Sequence, residues 1–297
     1  MTALLLFCLT AAGLFTAPPL EYDEPDPEDF PSGIPVLCYH HVGNPPVQYG
    51  VSTYRLASDL QALYENGFFL ITPRDIENRL MHVPAGRRPV MITFDDGWED
   101  NYRFLPGTEQ PDPSSAIGIV QNFLEEHPDF GGGVTFFVSW DKVPFGQDSM
   151  EKFHSLMDMG HELGNHSFNH TSFLQLSSEG WKRQVNGALN LFDSSLGLRT
   201  GDVRAFAYPG GAIPRGGEVQ REMARMTWKG RPSATTAYIV DGMITSFSRV
   251  YGNDFGLFAI GRIDMSLYSV HQLLQWRNLM VTGADRSNIR SPLQWRP

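Results

Sequence analysis

From Ile34 onward, short apolar runs and amphipathic stretches take turns along this chain, and that alternation restricts the fold more than any other feature. The runs Val36–Tyr39, Phe68–Ile71, Val90–Phe94, Val134–Val138, Ala205–Tyr208 and Ala237–Val240 read as strands. A short apolar run bounded by turn signals suits a strand covered on both faces. Between them, Leu56–Asn66 places Leu56, Leu60 and Leu63 on one helical face and stops at Gly67. Ala116–Glu126, Met150–Met159, Trp181–Leu196 and Glu218–Arg225 read as further helices, and Glu162–Gly164 as a short strand. Regular β–α alternation implies an α/β fold with a mainly parallel sheet, open or closed into a barrel. The stretch after Ser269 is less regular.

With 297 residues, 41% of them hydrophobic, and six Trp, the chain can bury a substantial core. The formal net charge is -10, and six of the acids fall in residues 18–33, where no base offsets them. No basic stripe is present, so nucleic acid is not an expected partner. Residues 1–17 are apolar and too short to span a bilayer comfortably. They read as a signal peptide, or as an anchor that attaches the chain to a membrane, and the protein is expected to be exported. Residues 18–33 read as an acidic, Pro-rich linker, 34–268 as a catalytic domain and 269–297 as a C-terminal extension. The two cysteines are Cys8 in the signal and Cys38 in a strand, so Cys38 reads as a small core residue. A monomer is expected.

In parallel α/β folds, chemistry gathers where strands end. Here Met91-Ile92-Thr93-Phe94 leads directly into Asp95-Asp96-Gly97. Two adjacent carboxylates repel unless a cation sits beside them or one holds a proton. A divalent metal solves this, with one acid as ligand and the other free as a base. His166 and His170 follow another short strand at a spacing of four, which on a helical turn would aim both imidazoles at one ion. Two His and one Asp leave a coordination position open, as catalytic zinc sites do.

Thr93-Phe94-Asp95-Asp96-Gly97 resembles the first signature of the polysaccharide deacetylases, carbohydrate esterase family 4, whose catalytic unit is the NodB-homology domain. His166-Ser167-Phe168-Asn169-His170 is similar to the second signature, and Phe206-Ala207-Tyr208-Pro209-Gly210-Gly211 to the third. Pro35–Val42, with Tyr39-His40-His41, resembles the opening strand of one branch. The resemblance runs from about Ile34 to Met265.

It implies a distorted (β/α) barrel of about seven units, a polysaccharide substrate and one divalent metal, usually zinc. By motif match Asp96, His166 and His170 would hold the metal, and Asp95 would be the general base. Gly210 would give a backbone N–H to the oxyanion. The late Leu-x-x-His motif of many members has no copy here, so His40 is the expected general acid, with His41 as the alternative. Where relatives carry an Arg that pairs with the base, this chain has Ala207, and Arg262 is the expected replacement. Trp98, Tyr208 and Pro209 are the expected substrate-binding residues. Tyr102 reads equally as a sugar platform or as core, while His82, His127, His154 and His161 show no partner pattern. The implied reaction removes N-acetyl groups from an N-acetylglucosamine-containing polysaccharide. The alternatives are peptidoglycan or xylan as substrate, or a sugar-binding protein with a decayed site.

Overall fold

The computed structural model describes residues 33–78, 80, 82–247 and 255–281. The signal and nearly all of the acidic linker lie outside the described residues, as does the end of the C-terminal extension after 281.

Eight parallel strands form the central sheet: β1 Val36–Tyr39, β2 Phe68–Ile71, β3 Arg88–Asp96, β4 Thr135–Val138, β5 Glu162–Asn165, β6 Ala205–Ala207, β7 Thr236–Val240 and β8 Ile260–Asp264. Their order is β1-β8-β7-β6-β5-β4-β3-β2, and β1 also pairs with β3, which closes a barrel of seven strands. The extra strand is accommodated by the length of β3. Residues 88–91 of β3 pair with β2, while residues 93–96 pair with β4. Since Met91 faces both Val36 and Ile71, β1 and β2 lie on opposite edges of β3. Seven closed strands with outer helices are the distorted (β/α) barrel that the sequence leads one to expect.

Helices α1 Thr53–Glu65, α2 Pro73–Glu77, α3 Ala116–Glu126, α4 Ser149–Asp158, α5 Ser178–Leu196, α6 Glu218–Arg225 and α7 Val270–Val281 accompany the strands. Ser52 and Ser115 cap α1 and α3, each accepting a backbone N–H from the first turn. Side chains alternate along each strand. Phe94, Phe136 and Leu163 point outward into the helix-facing core, while Val36, Met91, Phe137, Ala205, Ala207, Tyr238 and Ile260 pack together in a second apolar cluster. Gly164 leaves room there, because a Cβ at that position would collide with the Phe137 ring.

The segment after Ser269 is more ordered than its sequence suggests. It opens with α7, which docks on α1, and Val270 N–H donates to Asp59 Oδ1 at 3.2 Å. Buried Asp59 also accepts from Tyr39 and Arg55, each at 2.9 Å, so one carboxylate ties β1, α1 and α7 together. A weak periodicity was a poor guide because this docking, and not an amphipathic stripe, holds the helix.

Candidate active site

Because every barrel strand is parallel, all their C-terminal ends open on one mouth. β3 delivers Asp95 and Asp96 there. Pleating alone would send the two carboxylates to opposite faces. Instead Asp96 adopts φ 73° and Gly97 φ 68°, which turns the chain out of the strand at this point. Asp tolerates the left-handed region better than most residues. At Gly97 any side chain would also press on Val138, 2.9 Å from a Cβ.

His166 and His170 follow β5, but not on a helical turn as their spacing suggested. They sit in an irregular loop with Ser167 at φ 87° and His170 at φ 55°. Side chains hold that loop. Asn165 Oδ1 accepts Ser167 N–H at 2.8 Å, Ser167 Oγ accepts His170 N–H at 3.0 Å, and Gln184 brackets Asn169 from α5. The two rings still meet, with centroids 5.0 Å apart. Local hydrogen bonds to short polar side chains replaced the helix as the positioning device.

Asp96, His166 and His170 form one group able to hold a metal ion. Oδ1 of Asp96 lies 3.4 Å from His166 Nε2 and 3.2 Å from His170 Nε2. It is buried and accepts no aligned hydrogen bond from either. Three ligand atoms that face a common point without bonding one another are the arrangement a divalent cation fills. The tautomer agrees. His166 Nδ1 lies 2.8 Å from the Ala207 carbonyl, an acceptor, so Nδ1 carries the proton and Nε2 presents a lone pair. Burial pushes the Asp96 carboxyl up, and the two imidazoles more than offset that, holding it well below the usual range.

Asp95 sits deeper, in a different environment. Arg262 grips it with two hydrogen bonds, Nη1 to Oδ1 at 2.6 Å and Nη2 to Oδ2 at 2.7 Å. Both side chains are buried, at 0% and 3% exposure. Arg262 lies within β8 itself, not after a strand, and its side chain is fully buried. Thr93 Oγ1 contacts Nη1 at 3.2 Å, and the Phe137 ring lies under the guanidinium at 5.4 Å. Burial raises Asp95, but Arg262 and then His166 outweigh it and keep the carboxylate ionised. For His166, burial lowers the ring, and Asp95 and Asp96 together hold it above its ordinary value. Oδ2 of Asp95 is 3.7 Å from His166 Nε2, so the paired acid stands beside the metal-ligand group. Cys38 is buried, as expected of a core residue, yet its Sγ lies 3.5 Å from Asp95 Oδ2. Burial pushes its thiol well up.

An open groove of about 260 Å³ reaches this site, lined by His40, His41, Tyr49, Asp96 and Trp98 among others. His40 falls in one group with Cys38 and Asp95, and its Nδ1 is buried without a hydrogen-bond partner. His41 is oriented by a carboxylate, Nδ1 to Asp100 Oδ2 at 2.7 Å, and stacks on Trp98. Gly210 is exposed with φ 69°, in the turn Pro209–Gly211 that follows β6. Pro209 is buried in that turn. Tyr208 departs from its expected role. Its side chain is fully buried against Phe173 and Phe206 on the outer side of β6, and its hydroxyl donates to Phe258 O at 2.9 Å. Strand alternation turns it away from the barrel interior that Ala207 faces. Tyr102 is likewise core, with its hydroxyl 2.7 Å from Ser155 Oγ. The Asp100–His41 pair and the Ala207 carbonyl are site features that sequence reasoning missed. Neither has a motif, since one is a contact between loops and the other a main-chain atom.

Residues 82–226 match the model of the polysaccharide deacetylase family. This stretch is a polysaccharide deacetylase domain. Among curated proteins, the chain is 25% identical over 122 residues to the peptidoglycan-N-acetylmuramic acid deacetylase PdaC of Bacillus subtilis, covering 41% of this chain and 22% of PdaC. It is 21% identical over 174 residues to the putative polysaccharide deacetylase YxkH of the same organism, covering 57% of this chain and 55% of YxkH. The match thus spans about a fifth of one of these relatives and about half of the other. Among solved structures, the Streptococcus pyogenes deacetylase PplD, in complex with acetate, superposes with TM-score 0.60 at 18% identity, over 83% of this chain and 98% of PplD. IcaB from Ammonifex degensii superposes with TM-score 0.60 at 19% identity, over 82% and 97%. These likenesses carry the fold. His40 and Arg262 lie outside the residues matched by the family model.

Proposed function

We propose that this chain is a metal-dependent hydrolase that removes N-acetyl groups from an N-acetylglucosamine-containing polysaccharide and releases acetate. The observation that carries the reading is the pairing of a three-ligand cluster with an ionised acid beside it. Asp96, His166 and His170 would hold the ion, and their one oxygen and two nitrogen donors suit zinc. A divalent ion held there would supply Lewis-acid polarisation of the acetyl carbonyl and a more nucleophilic water at neutral pH. Asp95 accepts the proton of the attacking water. Arg262 keeps that carboxylate ionised and fixes its plane through the two bonds described. The backbone N–H of Gly210 donates to the oxyanion that forms as the amide carbon becomes tetrahedral. His40, which lines the groove and shares a cluster with Asp95, then protonates the departing amine nitrogen. The catalytic domain spans 34–268, and α7 adds a docked helix at its end. Export through residues 1–17 would bring the enzyme to an extracellular polymer, where it acts as a monomer.

Zinc titration of chelator-treated protein, with acetate release from chitin oligomers, tests this reading. Zinc should restore acetate release. Asp95→Asn should lower it by about 10²–10⁴-fold while zinc still binds. If wild type binds zinc but frees no acetate from any N-acetylated glycan, and Asp95→Asn changes nothing, the enzymatic reading fails. Peptidoglycan is the second substrate to try, because PdaC is named for N-acetylmuramic acid in that polymer.

A further inference from the structure

We infer that Trp98 is a positioning residue for the metal ligand Asp96, not a platform for sugar. This rests on the metal-binding reading above. A carboxylate used through one oxygen can rotate and offer the other. Here Oδ1 faces the two imidazoles while Oδ2 accepts the indole N–H of Trp98 at 3.0 Å. Indole nitrogen only donates, so this contact is satisfied by an ionised acceptor and fixes which oxygen is left for the ion.

The indole is itself held. His41 stacks on it with centroids 4.1 Å apart and planes at 29°. The Lys142 ammonium lies 4.2 Å from the ring centroid. His41 is in turn fixed by Asp100 at 2.7 Å, and Asp100 O accepts Ala116 N–H at the start of α3 at 3.1 Å. A line of contacts therefore runs from α3 through Asp100, His41 and Trp98 to Asp96. With the ring engaged by His41 and Lys142, its aromatic surface serves the chain's own residues. Asp96 needs such help, because it is the last residue of β3 and at φ 73° it is where the chain leaves the strand.

The test is zinc affinity measured by competition with a chromophoric chelator, together with melting of the metal-free protein. Trp98→Phe keeps one aromatic ring for the stack and removes the indole N–H together with the second fused ring. It should weaken zinc binding about 10-fold or more and leave the metal-free melting temperature near wild type. His41→Ala, which unstacks the indole, should weaken zinc binding in the same direction by less. A purely structural tryptophan would lower the melting temperature and leave zinc affinity intact, and that result overturns the inference. If Trp98→Phe fails to fold, unchanged zinc affinity in His41→Ala overturns it equally. Zinc binding by wild type separates this outcome from failure of the metal reading, which wild type without zinc affinity would signal.

Discussion

Two buried histidines flank strand β5, and they have opposite uses. His161 precedes it at the N-terminal end of the strands, and His166 follows it at the C-terminal mouth. His161 accepts Val134 N–H on Nδ1 and places Nε2 3.2 Å from Gln121 Oε1, so both nitrogens are satisfied by neutral groups. Burial pushes its pKa down to about 4. His166 is equally buried, but carboxylates surround it, and only its Nδ1 is committed to an aligned hydrogen bond. At one end the imidazole is a neutral packing unit. At the other its Nε2 faces Asp96 and Asp95, within the group able to hold a metal ion. The difference lies in which end of a parallel strand each residue occupies.

The largest expected effect is at the mouth. Arg262→Met leaves Asp95 buried without its partner and should cost about 3–5 kcal/mol in urea unfolding. Adding Asp95→Asn should restore part of that loss. Stability within about 1 kcal/mol of wild type in Arg262→Met would show that the pair is not the organising contact of this end.

The foot of the strand should answer to pH instead. The His161 pKa falls from 6.5 in the unfolded chain to about 4 in the native state, so the unfolded chain binds the extra proton between those values. Stability from this residue is complete above pH 6.5 and is lost as pH falls toward 4. The span corresponds to about 3 kcal/mol. Melting of wild type and His161→Gln across that range should show a steeper acid loss in wild type. Parallel curves would erase the contrast between the two histidines.

Gly164 lies between the two ends. Gly164→Ala would press a methyl into Phe137 and should cost about 1–3 kcal/mol, read by thermal unfolding. A neutral result would mean that the barrel interior yields more easily than its packing implies. The smallest effect is expected from Tyr208→Phe. Loss of the bond to Phe258 O should cost about 1 kcal/mol with acetate release unchanged. A fall in kcat/KM would return Tyr208 to the substrate side.

Much of the architecture was legible because strands and helices announce themselves by local patterning. Ala116–Glu126 and Val36–Tyr39 agree with the structure to the residue. The helical turn expected at His166–His170 was not there, since spacing alone cannot distinguish a helix from a loop fixed by Asn165, Ser167 and Gln184. Tyr208 was assigned to substrate by its place in a motif, and strand register turned it outward. α7 escaped because its stability comes from Asp59 and α1 rather than from its own periodicity.

The sequence by itself determined the mainly parallel α/β class, the neighbouring acids Asp95 and Asp96 at a strand end, and the identity of the two histidines. These depend on residue order and short-range period, which need no partner. Only the tertiary structure decided that Arg262 grips Asp95, that Ala207 presents its carbonyl to His166, and that Trp98 takes the second oxygen of Asp96. Each joins side chains or main-chain groups from different strands or loops. Which residues meet across a closed barrel depends on register and alternation around the whole circumference, and no single segment carries that information.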